Sequence, residues 1–234
     1  MKNQILEKLK QLNQQEKKDL LFEFFYSYNH NLIKIKNKWF ETDDINFLKN
    51  LIEAGVEVNS KNHFHATPLF YAKSKEIAEI LIQHGADVKA EDISSQTPLF
   101  YSESKEVVEL LIQAGVDVNA QNHVGATSLS YIQSKEMAEV LIKHGADVNR
   151  RDKNGNTPLH WCNNQEIMEL LIQAGADINI KNKNKETPSE YHRKNGHSDL
   201  ADFMEQKAIE FERKKLNQVL PQSQKNSNYS KYRL

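Results

Sequence analysis

The hydrophobic pattern of this chain repeats every 30 residues. Each copy contains an apolar segment at helical spacing, as in "IAEILIQ" at 77–83, where Ile77, Ile80 and Leu81 lie on one face. A glycine follows each segment and keeps the same period: Gly55, Gly85, Gly115, Gly145 and Gly175. Because a helix of about nine residues is unstable alone in water, the pattern predicts short helices that stack against one another.

Polar residues predict where these helices begin and end. One column, three residues before the first apolar position, holds good N-cap residues: Ser74, Ser104, Ser134 and Asn164, with Asp44 one period earlier. The glycine after each segment can adopt the left-handed conformation that ends a helix. The next segment, such as "ADVKAEDISSQ", has turn-forming residues and no helical period, which predicts a finger-like loop. Thr67-Pro68 then predicts the start of a second, very short helix.

The motifs "TPLHWC", "LLIQAGADINIKN" and "LIKHGADVNRRDKNGNTPLH" resemble ankyrin repeats, and the resemblance covers roughly residues 37–215. It implies an all-α ankyrin-repeat solenoid with two antiparallel helices per repeat, outward fingers and a concave face. The usual ankyrin period is about 33 residues, and the residues missing here lie between the two helices. We therefore expect a first helix of about a turn and a half in each inner copy, followed at once by the second helix.

The ends of the repeat array predict caps. We expect an N-terminal helical cap over residues 1–36, with two helices inside 2–28, the second starting at Asn13. The predicted repeats are 37–66, 67–96, 97–126, 127–156, 157–186 and 187–215, the last including a capping helix, and 216–234 is predicted to be a disordered basic tail. An alternative role for the first aromatic cluster is to bind a partner: Phe22, Phe24, Phe25, Tyr26 and Tyr28.

Composition limits the classes of function. The chain has 31 basic and 32 acidic residues, and residues 67–186 have a net charge of −5, which disfavours nucleic acid as a partner. No apolar stretch reaches the length of a membrane span, and the N-terminus does not resemble a secretory signal. We expect a cytoplasmic monomer, although export by a dedicated system fits the sequence equally well. Arginine is scarce, at 5 of the 31 basic residues, which is typical of an AT-rich genome and favours a bacterial source.

Three groups of residues suggest chemistry, and each has a simpler structural explanation. His160 and Cys162 could pair as base and nucleophile, but they occupy positions that Phe70 and Ala72 hold in an earlier copy. His63 and His123 lie two repeats apart, about 20 Å at about 10 Å per helix layer, too far for one metal ion. The aromatic column resembles a stacking platform for bases, but we interpret it as core packing: Tyr71, Tyr101, Tyr131, Trp161 and Tyr191. We expect no catalytic residue, no metal and no cofactor.

Two sets of columns vary between copies and are the candidates for partner binding. The first lies at the finger tips: His63, Phe64, Ile93, His123, Val124, Lys153 and Lys183. The second lies on the short helix, in pairs expected on one face: Phe70 with Lys73, Phe100 with Glu103, Ser130 with Gln133, and His160 with Asn163. An exposed apolar row of Phe64, Phe70, Ile93 and Phe100 would suit a binding hot spot, whereas ordinary surface variation with partial burial of the phenylalanines is the alternative. His65, Ser95 and Lys185 replace a finger glycine, which predicts altered finger shapes there.

The sequence therefore predicts a non-catalytic protein-binding module that uses its concave face and fingers. A toxin-neutralising immunity protein or a host-directed effector is the alternative that the resemblance offers. An enzyme with an unrecognised site and a nucleic-acid binder are less favoured.

Overall fold

The computed structural model describes residues 2–26, 32–35, 38–41 and 44–219. The chain forms two compact units, which we describe separately. The first comprises residues up to 128 together with 143–146, and the second comprises 129–142 and the residues from 147 onward. No helix in the described ranges is long and apolar enough to cross a bilayer.

The first unit begins with two helices, α1 (Lys2–Lys10) and α2 (Gln14–Tyr26), that pack on α3 (Asp44–Glu53). The predicted start of α2 is confirmed. The Asn13 side chain accepts from the Glu16 N–H at 2.9 Å, and the Glu16 carboxylate accepts from the Asn13 N–H at 2.8 Å. This reciprocal pair satisfies two backbone donors that a helix start leaves open.

The aromatic cluster of α2 serves the core. Phe22, Phe24 and Phe25 are buried, and the ring of Phe24 lies 5.8 Å from that of Phe47 on α3. These three phenylalanines therefore pack in the core instead of forming an exposed surface for a partner, while the side chains of Tyr26 and Tyr28 lie outside the described residues. Lys17 is also buried, and its ammonium donates to the Ala54 carbonyl at 2.7 Å, where the negative end of the α3 dipole favours a cation.

A short antiparallel hairpin separates the cap from α3. Strand β1 (Leu32–Ile35) pairs with β2 (Lys38–Glu41), with Leu32 opposite Glu41 and Ile35 opposite Lys38. The repeat pattern did not predict these strands, although "LIKIKNKWFE" alternates apolar and polar residues over several positions. The hairpin spans the boundary that the sequence placed between residues 36 and 37.

The repeats consist of a very short first helix and a second helix of nine residues. The first helices are single turns: 3₁₀ turns at Pro68–Tyr71 and Ser128–Ser130, α5 (Pro98–Tyr101) and α8 (Pro158–Trp161). The second helices are α4 (Lys75–Gln83), α6 (Lys105–Gln113), α7 (Lys135–Lys143) and α9 (Gln165–Gln173). The predicted shortening of the first helix is confirmed.

The predicted N-caps act in more than one way. Asn164 accepts from the N–H groups of Glu166 and Ile167 at 2.9 and 3.2 Å, and Ser74 accepts from Ile77 at 3.3 Å. The hydroxyl of Ser104 instead donates to the Glu106 carboxylate at 2.6 Å, which lowers the pKa of Glu106. Asp44 is the first residue of α3 itself.

An asparagine joins successive copies where the second helix ends. The side chain of Asn59 donates to the Gly85 carbonyl at 2.8 Å and accepts from the Asp87 N–H at 2.8 Å. In the second unit, Asn149 makes the same pair with Gly175 and Asp177, at 3.1 and 2.8 Å. These bonds use helix-end carbonyls that have no partner inside the helix.

Each unit has its own apolar core between its helices. Fully buried leucines include Leu48, Leu51, Leu81 and Leu111 in the first unit and Leu141, Leu159 and Leu171 in the second. The second unit ends with α10 (Pro188–Lys194) and α11 (Ser198–Val219), which Arg193 connects through Asp202 and Glu205. Because α11 continues to Val219, the predicted start of the tail at residue 216 is wrong, and residues 220–234 lie outside the described residues.

Candidate protein-binding site

One Asn or Asp at the base of each finger shapes the loop. The residues in this column are Asn62, Asp92, Asn122, Asp152 and Asn182. In each case one side-chain oxygen accepts from two backbone N–H groups of the finger; Asp92 accepts from Ser94 at 2.8 Å and from Gln96 at 2.9 Å. Such side-chain turns replace backbone pairing in a loop, so the fingers are closed, hydrogen-bonded structures.

All five fingers share one backbone conformation at the third residue after this Asn or Asp. The residues there have positive φ: His65 (61°), Ser95 (55°), Gly125 (82°), Gly155 (80°) and Lys185 (64°). The prediction of altered finger shapes at the three non-glycine positions is therefore wrong. The hydrogen bonds of the Asn or Asp side chain hold the left-handed conformation, which costs an ordinary residue about 1–2 kcal/mol.

Neighbouring finger tips are joined by backbone hydrogen bonds. In the first unit the Ile93 N–H donates to the Phe64 carbonyl at 3.0 Å, and the His123 N–H donates to the Ser94 carbonyl at 2.9 Å. In the second unit the Lys183 N–H donates to the Asn154 carbonyl at 2.8 Å. The tips are therefore ordered relative to each other within each unit.

The first unit carries apolar side chains at these tips. Phe64 and Ile93 are 51% and 60% exposed, the His63 ring lies 4.3 Å from that of Phe64, and Val124 is half-buried. Exposed apolar side chains that lie next to each other are more typical of interaction sites than single ones, and Phe64 and Ile93 lie on adjacent tips. We call this set the apolar finger surface: His63, Phe64, Ile93, His123 and Val124.

The short helix does not provide the exposed face that the sequence predicted. Phe70 is only 4% exposed and packs with Ala66 and Ala90, and His160 is fully buried. Phe100 is half-buried. Because each short helix ends by residue 71 or its equivalent, the paired positions lie beyond it and are exposed: Lys73, Glu103, Gln133 and Asn163. The predicted pairing on one helix face is therefore wrong, and Phe70 and His160 are not surface residues.

The neighbouring aromatic column is the exposed one. Tyr101, Tyr131 and Trp161 are 43%, 39% and 37% exposed, so our interpretation of this column as core packing is wrong for these three residues. Tyr71 and Tyr191 are half-buried, and Tyr71 packs against the core at Phe70. The polar atoms of these rings reach the base of the fingers. Tyr101 donates to the Asp92 carboxylate at 2.7 Å, and the Trp161 indole N–H donates to Asp152 at 3.1 Å. Partial burial and the Asp92 carboxylate raise the pKa of Tyr101.

A sequence signal for this column existed. Each aromatic residue comes nine positions after the Asn or Asp of its finger, as in Asp92 with Tyr101 and Asp152 with Trp161. Tyr and Trp have an apolar ring and one polar group. They suit a position where the polar group hydrogen-bonds to the protein and the edge of the ring faces water. The spacing of nine residues would have predicted the contact between the base of each finger and the aromatic column.

His160 and Cys162 have structural roles. The Nδ1 atom of His160 accepts from the Thr157 N–H at 3.0 Å, its Nε2 donates to the Glu186 carbonyl at 3.2 Å, and burial lowers the pKa of the imidazole. The Cys162 thiol donates to the Asn164 carbonyl at 3.3 Å, and burial raises its pKa to about 11. A thiol that stays protonated at neutral pH is a poor nucleophile. The described residues also contain no group of three or more His, Cys, Asp or Glu placed to hold a metal ion.

A short helix, a nine-residue helix and a closed finger, recurring every 30 residues, define a helical-repeat protein. A family model described as "Ankyrin repeats (3 copies)" matches residues 40–122 and 103–182, more than half of the chain. The chain belongs to the ankyrin repeat family, which confirms the resemblance and the fold class that the motifs predicted. No curated protein sequence matches it.

Proposed function

We propose that this protein is a non-catalytic protein-binding module and that the apolar finger surface contacts its partner. Ankyrin repeats generally mediate protein–protein interaction. The observation that carries the proposal is the pair Phe64 and Ile93, which are more than half exposed on two finger tips joined by a hydrogen bond.

The energetics of these two side chains support the proposal. Fully burying a Phe or Ile side chain contributes about 1.5–3 kcal/mol, so covering the exposed half of each contributes roughly 1 kcal/mol. The loops are closed by Asn62 and Asp92, and Phe64 and Ile93 are therefore ordered before binding. Ordering costs oppose association, and a preformed surface reduces them.

Affinity capture with matched baits tests the proposal. The first bait is the unchanged chain, the second carries Phe64→Ala and Ile93→Ala, and the third carries Ile209→Ala, an exposed apolar residue on α11 outside the fingers. We expect a partner that the first and third baits retain and the second loses, with all three baits showing the same circular dichroism spectrum.

A partner retained equally by the first and second baits would contradict the assignment of the apolar finger surface. If the captured partner is an enzyme or a toxin, inhibition of its activity by the unchanged chain, and not by the second bait, would support the immunity-protein form of the proposal. If the unchanged chain inhibits the captured partner no more than the second bait does, the immunity-protein form of the proposal is rejected.

A further inference from the structure

The two fingers of the second unit concentrate positive charge. Residues 150–155 and 181–186 contain six basic and two acidic side chains, whereas the three fingers of the first unit (58–66, 88–96 and 118–126) contain two of each. All six basic residues are exposed: Arg150, Arg151, Lys153, Lys181, Lys183 and Lys185. We call the two loops the basic finger pair.

The two acidic residues of the basic finger pair are already engaged. Asp152 is buried and accepts from the N–H groups of Asn154 and Asn156 and from the Trp161 indole. Glu186 pairs with Lys194 on α10, and this contact lowers the pKa of Glu186. In contrast, none of the ion pairs within 4 Å among the described side chains includes Lys153, Lys181, Lys183 or Lys185. On α10, the Thr187 N–H is the main cause that lowers the pKa of Glu190, and the charge of Lys181 lowers it further.

The basic finger pair is held in one arrangement. Besides the bond between Lys183 and Asn154, Asn182 donates to the Asn156 side chain at 2.9 Å and Arg151 donates to the Lys181 carbonyl at 2.8 Å. A Cβ added at Gly155 would lie 3.2 Å from the Asn182 Cα atom, which shows how closely the two loops approach. The lysine side chains therefore project from a fixed base.

We propose that the basic finger pair binds an acidic segment of the protein partner. This inference rests on the proposed function, because it assigns a charge to the partner's surface. The positive region is short: residues 157–180, which connect the two fingers, carry Glu166, Glu169 and Asp177 and no Lys or Arg. A nucleic-acid backbone carries one charge per 3.4 Å along each strand and is bound best by an extended basic surface, whereas a short run of Asp and Glu needs only the span of two adjacent fingers.

A peptide titration with the full chain tests this assignment. The probe is fluorescein-labelled octaglutamate, followed by fluorescence anisotropy at 50 and 150 mM salt. One variant carries Lys153→Gln, Lys183→Gln and Lys185→Gln, and its control carries Lys61→Gln, Lys89→Gln and Lys143→Gln, three exposed lysines outside the basic finger pair. Both variants change the net charge equally, so only the location of the charge differs.

We expect the dissociation constant of the first variant to rise at least tenfold and that of the control to stay within twofold, with weaker binding at the higher salt. Equal losses in the two variants, or no binding of octaglutamate to the unchanged chain, would overturn the proposal. Tighter binding of an eight-nucleotide oligothymidine with the same lysine dependence would overturn it in favour of nucleic acid. Phe64→Ala with Ile93→Ala should leave this titration unchanged, so a failure here is separate from a failure of the proposed function.

Discussion

Ser95 has a backbone conformation that its neighbour Ser94 does not share. Ser95 adopts a φ of 55° at the finger position where two other copies have glycine, and Ser94 has no such constraint. Glycine removes the left-handed cost of about 1–2 kcal/mol but adds flexibility to the unfolded chain worth about 0.4–1 kcal/mol. We predict that Ser95→Gly raises the free energy of unfolding by about 0.5–1 kcal/mol, measured by urea denaturation.

The adjacent substitution is the control for this prediction. Ser94 is not in the left-handed region, so Ser94→Gly removes no backbone strain. It should lower the free energy of unfolding by about 0.5–1 kcal/mol. If both variants shift the urea midpoint in the same direction, the left-handed backbone of Ser95 does not explain the effect of Ser95→Gly on stability.

The buried imidazoles of His160 and His192 predict a dependence of stability on pH. Burial is the main cause that lowers the pKa of each ring below its ordinary value of about 6.5. The unfolded chain therefore binds protons more readily, so this stability is complete above about pH 6.5 and is lost as the pH falls through the folded-state pKa. The slope is at most about 1.4 kcal/mol per pH unit for each ring.

His160→Phe tests this dependence, because Phe occupies the equivalent position in two other copies, at Phe70 and Phe100. Between pH 7.5 and 5.5 we expect the free energy of unfolding of the variant to change less steeply than that of the unchanged chain. Identical slopes would show that protonation of His160 does not oppose folding.

At the scale of the elements, an Asn beside each finger connects one helix end to the next, and one copy departs from this rule. Lys89 occupies the position of Asn59, Asn119 and Asn149. Its ammonium group cannot accept from the Asp117 N–H as Asn59 accepts from that of Asp87. We predict that Lys89→Asn raises the free energy of unfolding by about 1 kcal/mol, since each restored hydrogen bond contributes about 0.5–1.5 kcal/mol.

The reverse change provides the matched measurement. Asn149→Lys removes the bonds to Gly175 and Asp177 and should lower the free energy of unfolding by about 1–2 kcal/mol. A neutral result for both substitutions in thermal and urea denaturation would mean that these asparagines do not stabilise the contact between copies.

The close approach of two fingers makes one glycine more sensitive than another. Gly155 and Gly175 both have positive φ, 80° and 93°, but only Gly155 faces the backbone of the next finger within 3.2 Å. Gly175→Ala should cost about 1–2 kcal/mol from backbone strain alone. Gly155→Ala should cost more, because Asn182 and Lys183 must also move, and equal losses of unfolding free energy would contradict this packing.

At the scale of the whole molecule, the period of 30 residues was sufficient to predict the repeats and their glycine ends. The shortened first helix followed from the resemblance, because the usual ankyrin period is about 33 residues. The N-terminal cap was also predictable, since Asn13 and Glu16 are a local capping signal. The β hairpin was missed because we interpreted its segment as part of the cap and of a degenerate repeat.

Two adjacent columns of the first helix show where a repeat pattern stops being informative. The column of Phe70 varies between copies and the column of Tyr71 stays aromatic, yet Phe70 is buried and the aromatic column reaches the surface at Tyr101. Only the partners decide which ring is buried: Phe70 contacts Ala66 and Ala90, and the Tyr71 hydroxyl accepts from Asn62 at 2.9 Å. The exposed finger tips Phe64 and Ile93 were predicted correctly because turns rich in Asn and Asp lie at the surface.

Site-specific photo-crosslinking tests the central claim, partner binding by the apolar finger surface, most directly. Benzoylphenylalanine would replace Phe64 in one protein, Ile93 in a second and Ile209 in a third, because Ile209 is also an exposed apolar residue but lies on α11. We predict that positions 64 and 93 crosslink the same protein from the native cell lysate and that position 209 does not. Crosslinking of that protein from position 209 alone, or of unrelated proteins from 64 and 93, would contradict the account.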